Sequence, residues 1–291
     1  MNSRTREQHE SLKAAIQNIQ TKPVNWHSGL AARKIEEAAF HNQSKRTRDD
    51  VAASDYATRH GNKKYYSTTG RSRDYLQRWL KERVVDKVFL DYACGNGERA
   101  IEAALMGAAI SIGIDISDVS IDNAIAAAER AGVSDRCVFL VGDCENTQLP
   151  DNSVDVALCN GVLHHMDLSY AYFELRRILK PKGVMLAVEA LNYNPVIKMY
   201  RRLTPEMRTR WEENHILSRK DLEFGARFFD VGEVRYWHLF SILATPFRRV
   251  PSVFNLVLPT FDALDAVLLR VPVVQLMGWQ FTFELIKPDR D

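Results

Sequence analysis

Residues 90–100 read LDYACGNGERA, and this stretch decides how the chain folds. Gly95, Gly97 and Ala100 have the spacing G-x-G-x-x-G/A, which is typical of a tight turn between a β-strand and an α-helix. The glycines let the backbone approach a ligand closely, and the helix that follows presents free N–H groups to an anionic group. A pyrophosphate and an amino acid both suit such a turn, so the glycines alone leave the ligand open.

Short apolar runs alternate with helical segments along the middle of the chain. The runs are residues 87–92, 109–115, 137–141, 154–159 and 184–190. Strands that are apolar throughout and separated by helices predict a parallel sheet that is buried on both faces. Ligands of such sheets bind at the carboxyl ends of the strands, so the residues at those ends are the candidates for ligand contact.

Composition limits the classes of protein that remain. The chain has 291 residues, of which 46% are hydrophobic and 26% charged, and its net charge of +2 gives little attraction to nucleic acid. Its four cysteines include no C-x-x-C pair, so we expect reduced thiols, no metal site and a cytoplasmic location. The longest apolar region, residues 250–277, contains prolines and charged residues, so we expect no transmembrane segment.

Acids at the strand ends distinguish between two cofactors. Asp91 would repel the pyrophosphate of a nicotinamide dinucleotide, but it would attract the ammonium and sulfonium groups of S-adenosylmethionine. Asp115 suits the ribose hydroxyls of either cofactor. Asp143 can accept a hydrogen bond from an adenine amino group, and the Asn160 carbonyl is expected to meet the ammonium group. The ordered set favours S-adenosylmethionine, with a nicotinamide-dependent oxidoreductase as the rival hypothesis.

Four stretches carry a resemblance to a known family. They are VFLDYACGNGE (88–98), GIDIS (113–117), VGDCENTQLPDNSVDVALCNGVLHHM (141–166) and LRRILKPKGVMLAVEAL (175–191). Together they resemble the motifs of class I S-adenosylmethionine-dependent methyltransferases of the small-molecule branch, including ubiquinone/menaquinone-biosynthesis-type methylases. Ala93 departs from the pattern, because glycine is common at that position, and we expect the change to be tolerated.

The resemblance implies an α/β, Rossmann-like fold. Its seven-stranded sheet is mostly parallel with an antiparallel last strand, and residues 232–239 and 279–286 fit strands six and seven. We expect a helical N-terminal cap or lid (1–75), the S-adenosylmethionine-binding core (76–191), and a C-terminal part (192–291) with helical substrate-side insertions and the last two strands.

The expected cofactor contacts come from the strand ends and from the cap. S-adenosylmethionine, with S-adenosylhomocysteine as its product, would contact Tyr66, Asp91, Ala93, Gly95, Asn96, Gly97, Asp115, Ile116, Asp143, Cys144, Glu145, Asn160, Gly161 and His165. The cap tyrosines around residues 65–66 could close over the cofactor or simply pack the cap.

The candidate catalytic residues are His164, His165 and Glu189. A hydroxyl nucleophile needs a general base, which histidine can provide near neutral pH, although the histidine pair could also only line the pocket. Glu189 could orient or deprotonate a substrate, or pair with an arginine. We predict an enzyme that methylates a small molecule at oxygen: a natural-product, sugar or lipid-like metabolite. Methylation at carbon or nitrogen, a non-catalytic cofactor-binding subunit and RNA methylation remain alternatives.

Substrate selection is expected to come from the segments outside the core. Residues 160–163 read NGVL and lack the N/D-P-P-Y/F pattern of methylases that act on nucleic-acid bases, which argues against a nucleic-acid substrate. Candidate substrate contacts are Tyr65, Tyr193, Tyr200, Arg201, Arg208 and His215. Arg201 and Arg208 would suit a carboxylate or phosphate. The apolar insertion at residues 240–278 predicts packing on the sheet and on a partner subunit, as in a homodimer, or contact with a lipid-like substrate or membrane surface.

Overall fold

The computed structural model describes residues 3–19, 29–50, 63–204 and 209–289. Its strands are β1 (Val88–Tyr92), β2 (Ile110–Asp115), β3 (Cys137–Val141), β4 (Val154–Asn160), β5 (Leu179–Ala190), β6 (Asp230–Trp237) and β7 (Gln280–Ile286). Its helices are α1 (Ser3–Ile19), α2 (Ala32–Asp50), α3 (Lys63–Tyr66), α4 (Gly70–Arg83), α5 (Glu98–Leu105), α6 (Asp118–Arg130), α7 (Leu168–Ile178), α8 (Pro195–Leu203), α9 (Arg210–Asn214), α10 (Arg219–Gly225) and α11 (Pro251–Leu268). Short 3₁₀ helices cover Leu163–His165, Ser241–Arg249 and Val274–Met277.

The seven strands form one sheet in the order β3-β2-β1-β4-β5-β7-β6. Strands β1 to β5 pair in parallel, whereas β7 runs antiparallel to both β5 and β6. This arrangement confirms the predicted Rossmann-like sheet with an antiparallel last strand. All five residues of β1 and all six of β2 are buried, as expected for central strands with helices on both faces.

The strand order reverses between β1 and β4, which are neighbours in the sheet but not in the chain. At such a reversal the connections leave toward opposite faces and open a crevice at the carboxyl ends of the strands. The loops after β1, β2, β3 and β4 meet at this edge, so the fold brings the predicted strand-end residues into one region.

The start of β5 differs from the sequence-based expectation. Strand β5 begins at Leu179, because the Pro181-Lys182-Gly183 segment continues the strand instead of separating it from α7. Lys182 has a φ of 62°, and the pairing of β4 with β5 shifts register between Val154 and Val156, so this part of the strand is irregular.

The C-terminal apolar insertion contains one continuous helix. Pro259 lies inside α11, so the prolines and acids that predicted a broken segment do not interrupt it. Within the described residues, α11 has the length and the composition that a membrane crossing needs, and 6% of its residues are buried. A single helix of this kind is weak evidence for a membrane span, because helices of soluble proteins can have the same length and composition.

Gly97 permits a close helix–sheet approach in the core. Its φ is 75°, and a Cβ atom at this position would lie 2.6 Å from the Phe139 ring and 2.7 Å from the Ala124 Cβ. Because both neighbours are buried, neither can move away without disturbing the packing of β3 or α6. The last glycine of the turn therefore sets how closely α5, α6 and β3 pack.

We expect Gly97→Ala to lower the free energy of unfolding by about 2–4 kcal/mol, from left-handed strain and overpacking together. Gly132→Ala is the matched control, since Gly132 has a φ of 70° but nothing within 4 Å of an added Cβ. In this control, the free energy of unfolding should fall by only about 1 kcal/mol. Urea unfolding of the two variants checks the difference, and equal losses would contradict the packing argument.

Candidate cofactor and catalytic site

The Asp115 carboxylate fixes the glycine turn after β1. Gly95 N–H donates to its Oδ2 at 2.7 Å, and Ser117 N–H donates to its Oδ1 at 2.8 Å. The turn itself contains Ala93, whose φ of 58° is in the region that favours glycine. The structure thus accommodates the alanine with local strain of about 1 kcal/mol.

The same carboxylate retains the capacity to bind a ribose. A carboxylate has about four lone-pair sites, and two of those of Asp115 are used by the backbone. The neighbouring elements present the predicted arrangement of a glycine turn, the N-terminus of α5 and an acid after β2. This donor and acceptor set fits the amino-acid and ribose parts of S-adenosylmethionine.

Asp91 lies beneath the first turn of α5. Its Oδ2 accepts the Ala100 N–H at 3.1 Å, and only 3% of the residue is exposed. Burial raises the pKa of Asp91 to about 7, with the negative charge of Asp115 adding to the effect. In this position the side chain supports the start of α5, and its contact with a cofactor ammonium group stays a prediction.

Asp143 and Glu145 are occupied by two basic residues of α2. Lys34 Nζ lies 2.6 Å from Asp143 Oδ2 and 2.8 Å from Glu145 Oε2. The Arg33 guanidinium donates to both Glu145 oxygens, at 2.5 and 2.6 Å. Asp143, which the sequence analysis assigned to the adenine amino group, and Glu145, an expected cofactor contact, therefore also anchor α2.

Helix α2 extends over the ends of several strands. Asn42 accepts from the Ser117 hydroxyl at 2.6 Å and donates to Asp118 at 2.8 Å, beside the end of β2. Because its other contacts lie after β3 and β4, α2 lies across the carboxyl ends of β2, β3 and β4. Helix α2 lies within residues 1–75, which were expected to form a cap or lid, and we refer to α2 as the lid. The sequence analysis named no residue of α2 as a candidate, although Arg33, Lys34, Glu37 and His41 have the i, i+3 and i, i+4 spacing of one helix face.

His164 and Glu189 form a buried pair at the end of β4. His164 Nδ1 lies 2.7 Å from Glu189 Oε2, and the other oxygen, Oε1, accepts the N–H groups of Val162 and Leu163 at 2.8 Å. Of the alternatives considered for Glu189, the structure shows a pairing with a histidine and not with an arginine. The second nitrogen of the ring, Nε2, lies 3.9 Å from Glu212 Oε1.

His165 points toward α2. Its Nδ1 lies 3.2 Å from Glu37 Oε2, and its ring contacts those of His41 and His164 at centroid distances of 5.4 and 4.2 Å. Burial lowers the pKa of His165, and the neighbouring His164 lowers it further. The two histidines of the predicted pair therefore have different environments.

The other predicted cofactor residues lie at or near the same edge. Asn96 accepts from Asn123 of α6 at 3.4 Å, Ile116 is half-buried after β2, and Asn160 and Gly161 are exposed at the end of β4. The Cys144 side chain is buried in the core, so only its backbone could face a ligand. Tyr66 is separate from α2, with its ring 5.8 Å from that of Trp279.

The predicted substrate contacts divide into two groups. The ring centroid of Tyr65 lies 5.5 Å from that of Tyr200 and 6.2 Å from that of Trp279. An aromatic cluster therefore joins α3, α8 and the residue before β7. The remaining residues have local structural contacts: Tyr193 accepts from Arg219 N–H, Arg201 donates to Leu191 O, and His215 stacks on Trp211. Arg208 lies outside the described residues, so the proposed arginine pair stays a prediction.

The raised pKa of Asp91 predicts how stability depends on pH. Between pH 4 and pH 7 the unfolded chain releases the Asp91 proton, whereas the folded protein keeps it, so stability falls as the pH rises toward 7. Relative to Asp91→Asn, the wild-type free energy of unfolding should fall by about 3 kcal/mol from pH 5 to pH 8. Urea unfolding across this range measures the difference, and parallel profiles would contradict the burial argument.

The ion pairs of Glu145 predict what holds α2 in place. Glu145→Gln removes the charge that Arg33 and Lys34 share, so amides in residues 32–42 should exchange hydrogen about tenfold faster. Glu129→Gln, an exposed acid on α6, is the control and should leave α2 unchanged. Hydrogen–deuterium exchange with mass spectrometry checks this, and equal protection in both variants would show that the pairs do not hold the helix.

Comparison with known proteins agrees with this geometry. Residues 84–226 match a family model described as a methyltransferase domain. The 27-O-demethylrifamycin SV methyltransferase of Amycolatopsis mediterranei is 38% identical over 116 residues, which are 40% of this chain and 42% of that protein. The sterol 24-C-methyltransferase of Aspergillus fumigatus is 35% identical over 128 residues, 44% of this chain and 34% of that protein. The chain therefore aligns with about two fifths or less of these relatives' length.

The fold also matches a solved structure. Geranyl diphosphate C-methyltransferase from Streptomyces coelicolor A3(2) superposes with a TM-score of 0.56 at 16% identity, covering 90% of this chain and 99% of that one. Identity at this level shows a shared fold alone. Together with the family match, it confirms the predicted methyltransferase fold and the cofactor class of the family. Residues 84–226 therefore form a methyltransferase domain, and its fold is that of the class I, S-adenosylmethionine-dependent enzymes.

Proposed function

We propose that this chain transfers a methyl group from S-adenosylmethionine to a hydroxyl oxygen of a small, largely apolar molecule. The observation that carries the proposal is the Glu189–His164 pair at the end of β4. A hydroxyl is a weak nucleophile and needs a base, whereas a carboxylate acceptor does not. A histidine held by a carboxylate at the carboxyl edge of the sheet supplies such a base.

Each group of the pair has a distinct task in this reaction. The cofactor supplies an electrophilic methyl group. Because Glu189 accepts the Nδ1–H of His164, the lone pair of the neutral ring is on Nε2, which can take the proton of the acceptor hydroxyl. Glu189 then stabilises the imidazolium that forms. Its hydrogen bonds to Val162 and Leu163 fix the carboxylate, so the ring is already oriented before the acceptor binds.

Exposed apolar side chains support an acceptor with an apolar body. Val196, Met199 and Leu203 of α8 are 58–72% exposed, next to the aromatic cluster of Tyr65, Tyr200 and Trp279. Two relatives are named for a rifamycin and a sterol, which is in keeping with this choice. The cytoplasmic location, the homodimer and the contact with a lipid surface through α11 stay predictions.

The test is methyl transfer from labelled S-adenosylmethionine to a panel of hydroxylated apolar compounds, including rifamycin-type and sterol-type acceptors. We expect a product with a new O–CH₃ group, identified by mass and NMR. His164→Gln should lower kcat/KM about 10²- to 10⁴-fold, because the proton acceptor is lost. Glu189→Gln should lower it less, since the ring remains but its orientation is weakened.

Calorimetry with S-adenosylhomocysteine provides the control for both variants. The affinity of each variant for S-adenosylhomocysteine should stay within about threefold of wild type, because the changed side chain is neither in the glycine turn nor in contact with the Asp115 carboxylate. Undiminished turnover in His164→Gln, or a product methylated at carbon or nitrogen, would overturn the proposed O-methylation. Tight binding of a nicotinamide dinucleotide in place of S-adenosylhomocysteine would overturn the cofactor assignment as well.

A further inference from the structure

Three potential metal ligands converge where α2 meets the loop after β4. They are the carboxylate of Glu37, the imidazole of His41 and the imidazole of His165, and their ligand atoms all lie within 4.8 Å of one another. Glu37 Oε2 is 3.2 Å from His165 Nδ1 and 3.5 Å from His41 Nε2. Glu37 and His41 are spaced i, i+4 on α2, so one helix face presents both side chains to the loop.

Two of these atoms are buried without a hydrogen bond. Glu37 is 4% exposed, and within the described part of the chain neither its Oε2 nor His165 Nδ1 has a hydrogen-bond partner, although the two atoms are 3.2 Å apart. A buried carboxylate oxygen without a donor is costly. The neighbouring cations of α2 do not compensate for it, because Arg33 and Lys34 pair with Glu145 and Asp143. A cation between Glu37 and the two imidazoles would satisfy these atoms.

The spacing of the ligand atoms fits a first-row divalent metal. Zn²⁺ binds histidine nitrogen and carboxylate oxygen at about 2.0–2.2 Å, so adjacent ligand atoms of a tetrahedral site lie about 3.3 Å apart. The two measured separations of 3.2 and 3.5 Å lie on either side of this value. The hydroxyl of Thr209 donates to the other oxygen of Glu37, as an outer partner that orients a ligating carboxylate would do.

We propose that Glu37, His41 and His165 bind one divalent transition-metal ion of the Zn²⁺ type. Two histidines and one carboxylate leave further coordination positions open, as in sites that keep a bound water. The ion joins α2 to the loop that carries His164, so it holds the lid against the catalytic edge. The proposal departs from the sequence-based expectation of no metal, which considered cysteine spacing and did not examine the Glu37–His41 pair.

The test uses the tag-free full-length protein, treated with a chelator and then desalted. Co²⁺ is titrated in while its visible absorption is followed, and bound Zn²⁺ is counted by elemental analysis after reloading and desalting. Both readouts are independent of methyl transfer and of any acceptor, so a failure of the proposed O-methylation would not affect them. His41→Gln and Glu37→Gln each remove one ligand, and His215→Gln is the control because its exposed ring stacks on Trp211, outside the cluster. Circular dichroism checks that every variant is folded.

We expect one equivalent of metal in the wild type and in His215→Gln. Each ligand variant should bind at least about 100-fold more weakly. Chelator treatment should also make α2 exchange hydrogen faster in the wild type, and it should have no such effect in His41→Gln. Sub-stoichiometric binding in the wild type, or equal affinity in the wild type and both folded ligand variants, would overturn the proposal.

Discussion

Carboxylates that accept main-chain N–H groups organise the carboxyl edge of this sheet. A parallel sheet that is buried on both faces ends with backbone donors that need partners. Asp115 accepts from Gly95 and Ser117, Asp91 accepts from Ala100, and Glu189 accepts from Val162 and Leu163. Each acid is contributed by a strand and fixes the beginning of a loop or helix. The geometry of the site depends on these bonds, because they hold the loops that would contact cofactor and acceptor.

The same acidic edge explains the position of the N-terminal helix. Acids gathered around a crevice attract cations, and in this chain Arg33 and Lys34 of α2 provide them. The ion pairs are partly buried, so removing one partner would leave an uncompensated charge. A ligand that used Asp143 or Glu145 would share these groups with α2. Cofactor binding through either acid would therefore be linked to the position of α2.

The adjacent residues His164 and His165 have the same side chain but different partners in the folded structure. His164 faces Glu189 inside the core edge, whereas His165 faces Glu37 and His41 on the lid. A histidine that acts as a base requires an unprotonated ring nitrogen and a partner that orients the ring. Glu189 is such a partner for His164. The second environment contains two buried atoms, Glu37 Oε2 and His165 Nδ1, that have no hydrogen-bond partner among the described residues, which suits a cation. The proposed base and the proposed metal site thus use different members of the pair.

The sequence by itself determined the sheet and its strand-end acids, because these features are local. Apolar runs predict buried strands, and the spacing from Asp91 to Gly97 and on to Asp115 predicts a turn and its partner within 25 residues. Only the tertiary structure decided that α2 lies across the carboxyl edge of the sheet, since Arg33 and Glu145 lie 112 residues apart in the chain. The contacts of Glu189 with His164 and of Glu37 with His165 likewise form only in the folded chain. The local sequence pattern predicts whether a segment forms a helix, a strand or a turn. Contacts between side chains that are distant in the chain depend instead on how these elements pack in three dimensions.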